Sequence, residues 1–77
     1  MVAASEIREH MEVRAADDRH VGTVDHMEGD SRIKLTKGDS KDGQHHLIPL
    51  DWVDHVDAHV HLNMDAKEVE RQWSTMN

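Results

Sequence analysis

Apolar and charged residues alternate along most of this chain, and the alternation predicts short strands. Met11-Glu12-Val13-Arg14-Ala15 places Met11, Val13 and Ala15 on one side of an extended ribbon and the two charges on the other. Ala16-Asp17-Asp18-Arg19 has turn chemistry, because Asp bonds its own backbone in turns. Val21 to Met27 completes a hairpin. Its apolar residues stand at 21, 24 and 27, which breaks strict alternation, and Gly22 marks a bulge or a close approach of another backbone. After the turn Glu28-Gly29-Asp30-Ser31, the segment Arg32-Ile33-Lys34-Leu35-Thr36 alternates cleanly with Ile33 and Leu35 inward. The polar stretch from Lys37 to Gly43 reads as an exposed loop. Gln44 to Ile48 forms a fourth strand, which ends at Pro49 because proline donates no ladder hydrogen bond. Pro49-Leu50-Asp51-Trp52-Val53 is an apolar corner with one tight turn. Asp54-His55-Val56 and Val60-His61-Leu62 then make a last hairpin around Asp57-Ala58-His59. If Val56 pairs with Val60, His55 falls opposite His61.

The ends of the chain read differently. Residues 1–10 form a frayed lead-in, where Ser5 can cap a single helical turn. Residues 65–76 form a helix: Asp65 with Glu68 three positions on resembles a capping box, and Met64 with Val69 forms a hydrophobic staple. Ala66, Val69, Trp73 and Met76 recur at spacings of three, four and three, giving one apolar stripe. The expected architecture is mainly β: a small, partly open antiparallel β-barrel of five or six short strands with one short C-terminal helix.

Seventy-seven residues make one domain. A domain this small has a thin stability margin, and with no Cys it gains nothing from a disulfide. No apolar run reaches the 18 or so residues of a membrane span, and the N-terminus lacks the pattern of a secretory signal. A cytoplasmic protein without membrane attachment is the expectation. Sixteen acidic against nine basic residues give a net charge of −7, which disfavours direct contact with nucleic acid phosphates. Phe and Tyr are absent and only Trp52 and Trp73 can stack on bases, which disfavours a base-stacking platform as well. Eight His are the compositional oddity: protonating all of them would move the charge from −7 to +1.

Candidate chemistry concentrates in the last hairpin. His59 and His61 share a face by parity, and His55 lies across from His61. Three imidazoles near Asp57 suit Zn, Ni or Cu. The plainer reading is that these His fill the solvent face of an amphipathic hairpin. His45 and His46 point to opposite faces, and His46, sharing a face with Ile48, is expected to be a partly buried structural residue. His26, sharing a face with Val24, raises the same question. Asp17, Asp18, Asp39 and Asp42 lack the longer pattern of a calcium loop and read as solvated turn acids. Trp52, Val69, Trp73 and Met76 are the candidate interaction residues, packing either on their own barrel or on a partner. No nucleophile, phosphate-binding loop or cofactor motif is present, so no catalytic residue and no cofactor is assigned.

The ordered elements resemble the PRC-barrel superfamily over residues 11–63. Met11-Glu12-Val13, Asp17-Asp18 and His20-Val21-Gly22-Thr23-Val24-Asp25 look like its opening hairpin. Arg32-Ile33-Lys34-Leu35, the corner His46-Leu47-Ile48-Pro49-Leu50-Asp51-Trp52-Val53 and the closing Val60-His61-Leu62 follow in the same order. Asp18-Arg19 departs from the usual Asp-Gly, which puts the turn type in question. The whole chain is similar to short stand-alone bacterial proteins of this type, grouped as a domain of unknown function. That resemblance implies the barrel fold and, from members in a photosynthetic reaction-centre subunit and a ribosome-maturation factor, a part in assembly rather than chemistry. The expected role is therefore a non-enzymatic module that self-associates, as a homodimer for instance, or docks a protein partner. A His-rich metal-binding or pH-sensing protein is the alternative.

Overall fold

The period-two segments form strands, as their alternation requires. A computed structural model describes residues 3–40 and 42–76, with the side chains of Thr75 and Met76 outside that description. Met1 and Val2 of the lead-in, Lys41 of the polar loop and Asn77 lie outside the described residues. The strands are β1 (Glu12–Arg14), β2 (His20–Glu28), β3 (Arg32–Leu35), β4 (His45–Pro49), β5 (Val53–Val56), β6 (Val60–Leu62) and β7 (Ser74–Met76), with one helix, α1 (Ala66–Gln72). They form a seven-stranded sheet among the described residues, in the order β5-β6-β1-β2-β3-β4-β7, with β5 and β7 at its open ends.

The expected mainly β fold with one short helix is what the chain adopts, with two differences. The sheet is mixed, because β1 runs parallel to β6, Val13 opposite Val60, while the other pairs are antiparallel. Alternation fixes which face a residue takes but carries no strand direction. There is also a seventh strand, where the helical stripe was expected to continue to residue 76. The helix ends at Gln72, Trp73 takes an extended conformation, and Ser74 to Met76 pair with Leu47 to His45. A short isolated helix is marginal in water, so a strand ladder offered by the edge of β4 wins. The start of the helix follows the sequence: the Asp65 carboxylate accepts from the Glu68 backbone N–H at 2.8 Å.

The irregular spacing of Val21, Val24 and Met27 has a physical origin. Opposite Val13 and Arg14, β2 carries an extra residue, Val21; opposite Leu35 and Lys34 it carries another, Asp25. Each bulge resets the alternation, so Val21 and Val24 are both buried and Met27 packs against the core. His26, pushed outward by the second bulge, is half exposed and is no buried histidine. The close approach at Gly22 is that of a side chain rather than a backbone, for a Cβ there would lie 3.3 Å from Leu35 Cδ1. The β1–β2 turn places Asp18 at φ 68°, a left-handed conformation that Asp tolerates better than most residues.

Val13, Ile33, Ile48, Val60 and Val69 are fully buried, with Val24, Leu35 and Leu62 close behind. The lead-in contributes too, and from Ala3 onward it is not frayed. Ala4–Glu6 forms a 3-10 turn, the Ala3 N–H donates to the Glu6 carboxylate at 2.8 Å, and Ile7 is buried in the core.

Candidate metal site on the hairpin

The hairpin of β5 and β6 follows from two valines and a three-residue loop. Val56 pairs with Val60, and His55 pairs with His61 across a bulge. Val53, Val60 and Leu62 turn inward, which forces His55 and His61 outward together. Their rings stack with centroids 4.4 Å apart and planes 10° from parallel. Asp57 is fixed in the loop by the His59 backbone N–H, which donates to its Oδ1 at 2.8 Å. The same oxygen lies 2.9 Å from His61 Nε2. The His59 N–H, and then His61, hold the Asp57 carboxyl below its ordinary range, so it is an anion at neutral pH.

His55, Asp57 and His61 thus each offer a donor atom, and these atoms lie within 4.8 Å of one another. Two imidazoles and a carboxylate are the donor types that divalent transition metals select. Donors of a tetrahedral ion at 2.0–2.1 Å sit roughly 3.3 Å apart, so closing the set takes modest side-chain rotation. His55 and Asp57 are exposed, which leaves room for that rotation. An open cavity of about 330 Å³, lined in part by Asp18, Asp54, His55 and His61, lies beside the cluster.

His59 does not join this set. It sits in the loop between the strands, where face parity does not apply, and its Nε2 lies 3.3 Å from Glu12 Oε1. Its ring meets His61 edge-on with centroids 6.0 Å apart. Glu12 in turn leads to a network that sequence reading missed. His20 Nδ1 lies 2.9 Å from Glu12 Oε2, and His20 Nε2 lies 2.8 Å from Asp39 Oδ2. Asp39 also accepts from the hydroxyls of Thr23 at 2.7 Å and Thr36 at 3.0 Å. Asp39 is therefore no free turn acid: it ties the polar loop to β2 and β3. No local pattern signals contacts 16 and 19 residues apart.

Residues 7–70 match the family DUF2171, described as uncharacterized protein conserved in bacteria. The chain belongs to that family. No curated protein matches the chain. The match spans six strands and most of α1 of this DUF2171 protein, including the whole β5–β6 hairpin. Among its described residues, no helix is long and apolar enough to cross a membrane.

The expected interaction residues are distributed otherwise than the stripe implied. Val69 has no exposed surface, because α1 lays that side onto the sheet, so Val69 is not available to a partner. Trp73 and Trp52 are half buried and pack against the same core. Trp73 stacks on His46, with centroids 3.8 Å apart and planes 9° from parallel. Met76 lies on β7 rather than on the helix, and its side chain is outside the described residues. His46 is buried as its face predicts, with its Nε2 2.9 Å from Asp42 Oδ1.

This arrangement sets the pH response. The Ser40 hydroxyl, then His46, hold the Asp42 carboxyl down to about 2. A lowered carboxyl contributes stability above its ordinary 3.8 and loses it as pH falls through that value toward about 2. His20 is raised above its ordinary 6.5, chiefly by its hydrogen bond with Glu12, so its contribution is full below 6.5 and fades as pH rises through the raised value. Thermal melts of the wild type and Asp42→Asn should therefore differ at neutral pH and converge in that acid window. A constant difference down to the lowest pH would contradict the assignment.

Proposed function

We propose that this protein is a cytoplasmic, non-enzymatic, PRC-barrel-like binding module whose ligand is a divalent transition metal held by the β5–β6 hairpin. One observation carries the reading: His55, Asp57 and His61 present three suitable donors within 4.8 Å on a hairpin of fixed register. The PRC-barrel resemblance of the sequence supports the non-enzymatic part of the reading, because small barrels of that kind serve contact rather than chemistry. Burial of Val69 argues against protein docking through the helix stripe, the role that the sequence led one to expect first.

Imidazole binds metal in its neutral form, so the ion competes with protons and binding weakens in acid. Calorimetric titration with Zn²⁺ or Ni²⁺ should give saturable binding of one ion per chain. The double variant His55→Ala with His61→Ala should lose it, whereas His26→Ala should keep it. Absence of saturable binding in the wild type, or full retention in the double variant, would remove the proposal.

A further inference from the structure

His20 sits between two carboxylates, and a neutral imidazole cannot serve both. Its Nδ1 lies 2.9 Å from Glu12 Oε2 on β1, and its Nε2 lies 2.8 Å from Asp39 Oδ2 in the loop after β3. Ionised carboxylates only accept hydrogen bonds, and a neutral ring carries a single N–H. Only the imidazolium donates in both directions at once. Without its extra proton, one ring nitrogen turns a lone pair toward a carboxylate oxygen at the same short distance.

The two sides are not held equally. Asp39 also accepts from the Thr23 hydroxyl at Oδ2, 2.7 Å away, and from the Thr36 hydroxyl at Oδ1, 3.0 Å away. Glu12 turns Oε2 to His20, while its Oε1 lies 3.1 Å from Arg14 Nε and 3.3 Å from His59 Nε2. A ring with one N–H left keeps Glu12, and Asp39, still held by its threonines, gives up the bond. The cavity that His20 lines beside α1 adds Asp17, Arg19, Asp65, Lys67 and Glu70, whose charges nearly cancel. The bond with Glu12, more than that with Asp39, holds His20 above its ordinary 6.5, so the exchange of partners falls on the alkaline side of that value.

We propose that His20 is a proton-operated clasp, closed as the imidazolium between Glu12 and Asp39 and opened on the Asp39 side when the ring becomes neutral. Closed, it fastens Asp39 to β2 directly and to β1 through Glu12. Open, it leaves Asp39 to the two threonine hydroxyls. The Ser40 hydroxyl next to it donates to Asp42, the partner of His46, so the clasp governs one of the two histidine ties on this loop.

The test is imidazole ¹⁵N and backbone amide NMR of the protein without added metal, from about pH 5 to about pH 9, which spans histidine titration. Both His20 nitrogens should be protonated at the acid end. Above the transition the remaining proton should sit on Nδ1, and the amides of Asp39 and Ser40 should shift with the same midpoint. That coupled shift should vanish in His20→Gln, whose side-chain amide does not titrate. Asp39→Asn should lower the His20 midpoint toward 6.5 and leave Nδ1 as the protonated atom. A wild-type midpoint at or below 6.5, or an alkaline ring protonated on Nε2, overturns the clasp. So do Asp39 and Ser40 amides that stay still through the transition, or that titrate alike in His20→Gln.

Discussion

Replacing Ile33 by Ala should lower the free energy of unfolding by about 3 kcal/mol, the usual cost of truncating a fully buried Ile. Ile33 has no exposed surface and sits mid-sheet, paired with Met27 on β2 and Ile48 on β4. Its removal leaves a cavity where neighbouring strands cannot collapse without breaking their ladders. A domain of this length holds only about 4–12 kcal/mol in total, so the loss is a large fraction. With a urea slope near 1–1.5 kcal/mol per molar, the midpoint should fall by about 2–3 M while the slope holds. Lys34→Ala, next along β3 on the opposite face, should stay within about 0.5 kcal/mol. Similar losses for the two variants would contradict the placement of the core.

Trp73→Ala should cost about 2–3 kcal/mol, less than the 3–5 of a fully buried aromatic because the residue is only partly buried. The larger consequence is local. Trp73 joins α1 to β7, its ring stacks on buried His46, and its backbone N–H donates to the Val69 carbonyl at 2.9 Å. Removing the ring takes away the anchor immediately before β7, which then loosens from the edge of β4. Hydrogen exchange should quicken at amides of the β4–β7 ladder and change little between β1 and β2. Trp73→Phe should restore most of the protection. Unchanged exchange in the β4–β7 ladder would show that His46 and Trp73 do not hold the C-terminal strand.

Much of the fold was legible because the side-chain period of a strand is written directly in residues such as Ile33 and Leu35. The hairpin register was legible for a related reason: two valines flank three loop residues, so His55 had to face His61. Three features were not. The parallel pairing of β1 with β6 depends on how the corner at Leu50–Trp52 redirects the chain, and side-chain parity is blind to direction. β7 exists because the edge of β4, about 28 residues earlier in the chain, offers a ladder; Ser74-Thr75-Met76 alone continues a helical stripe as readily. Val69 looked like a surface residue only while the partner of α1 was unknown. At the candidate site, His55 and His61 were found by register, but His59 was misplaced because the parity rule stops where the ladder stops.

If the β5–β6 register brings His55 and His61 to one ion, the eight His supply their own controls. The direct measurement is two-dimensional imidazole ¹⁵N NMR of the wild type during titration with Zn²⁺. Ring nitrogens of His55 and His61 should shift together and saturate at one equivalent, while those of His20, His26 and His46 hold. Equal shifts spread over all the His, or none at His55 and His61, would contradict the account.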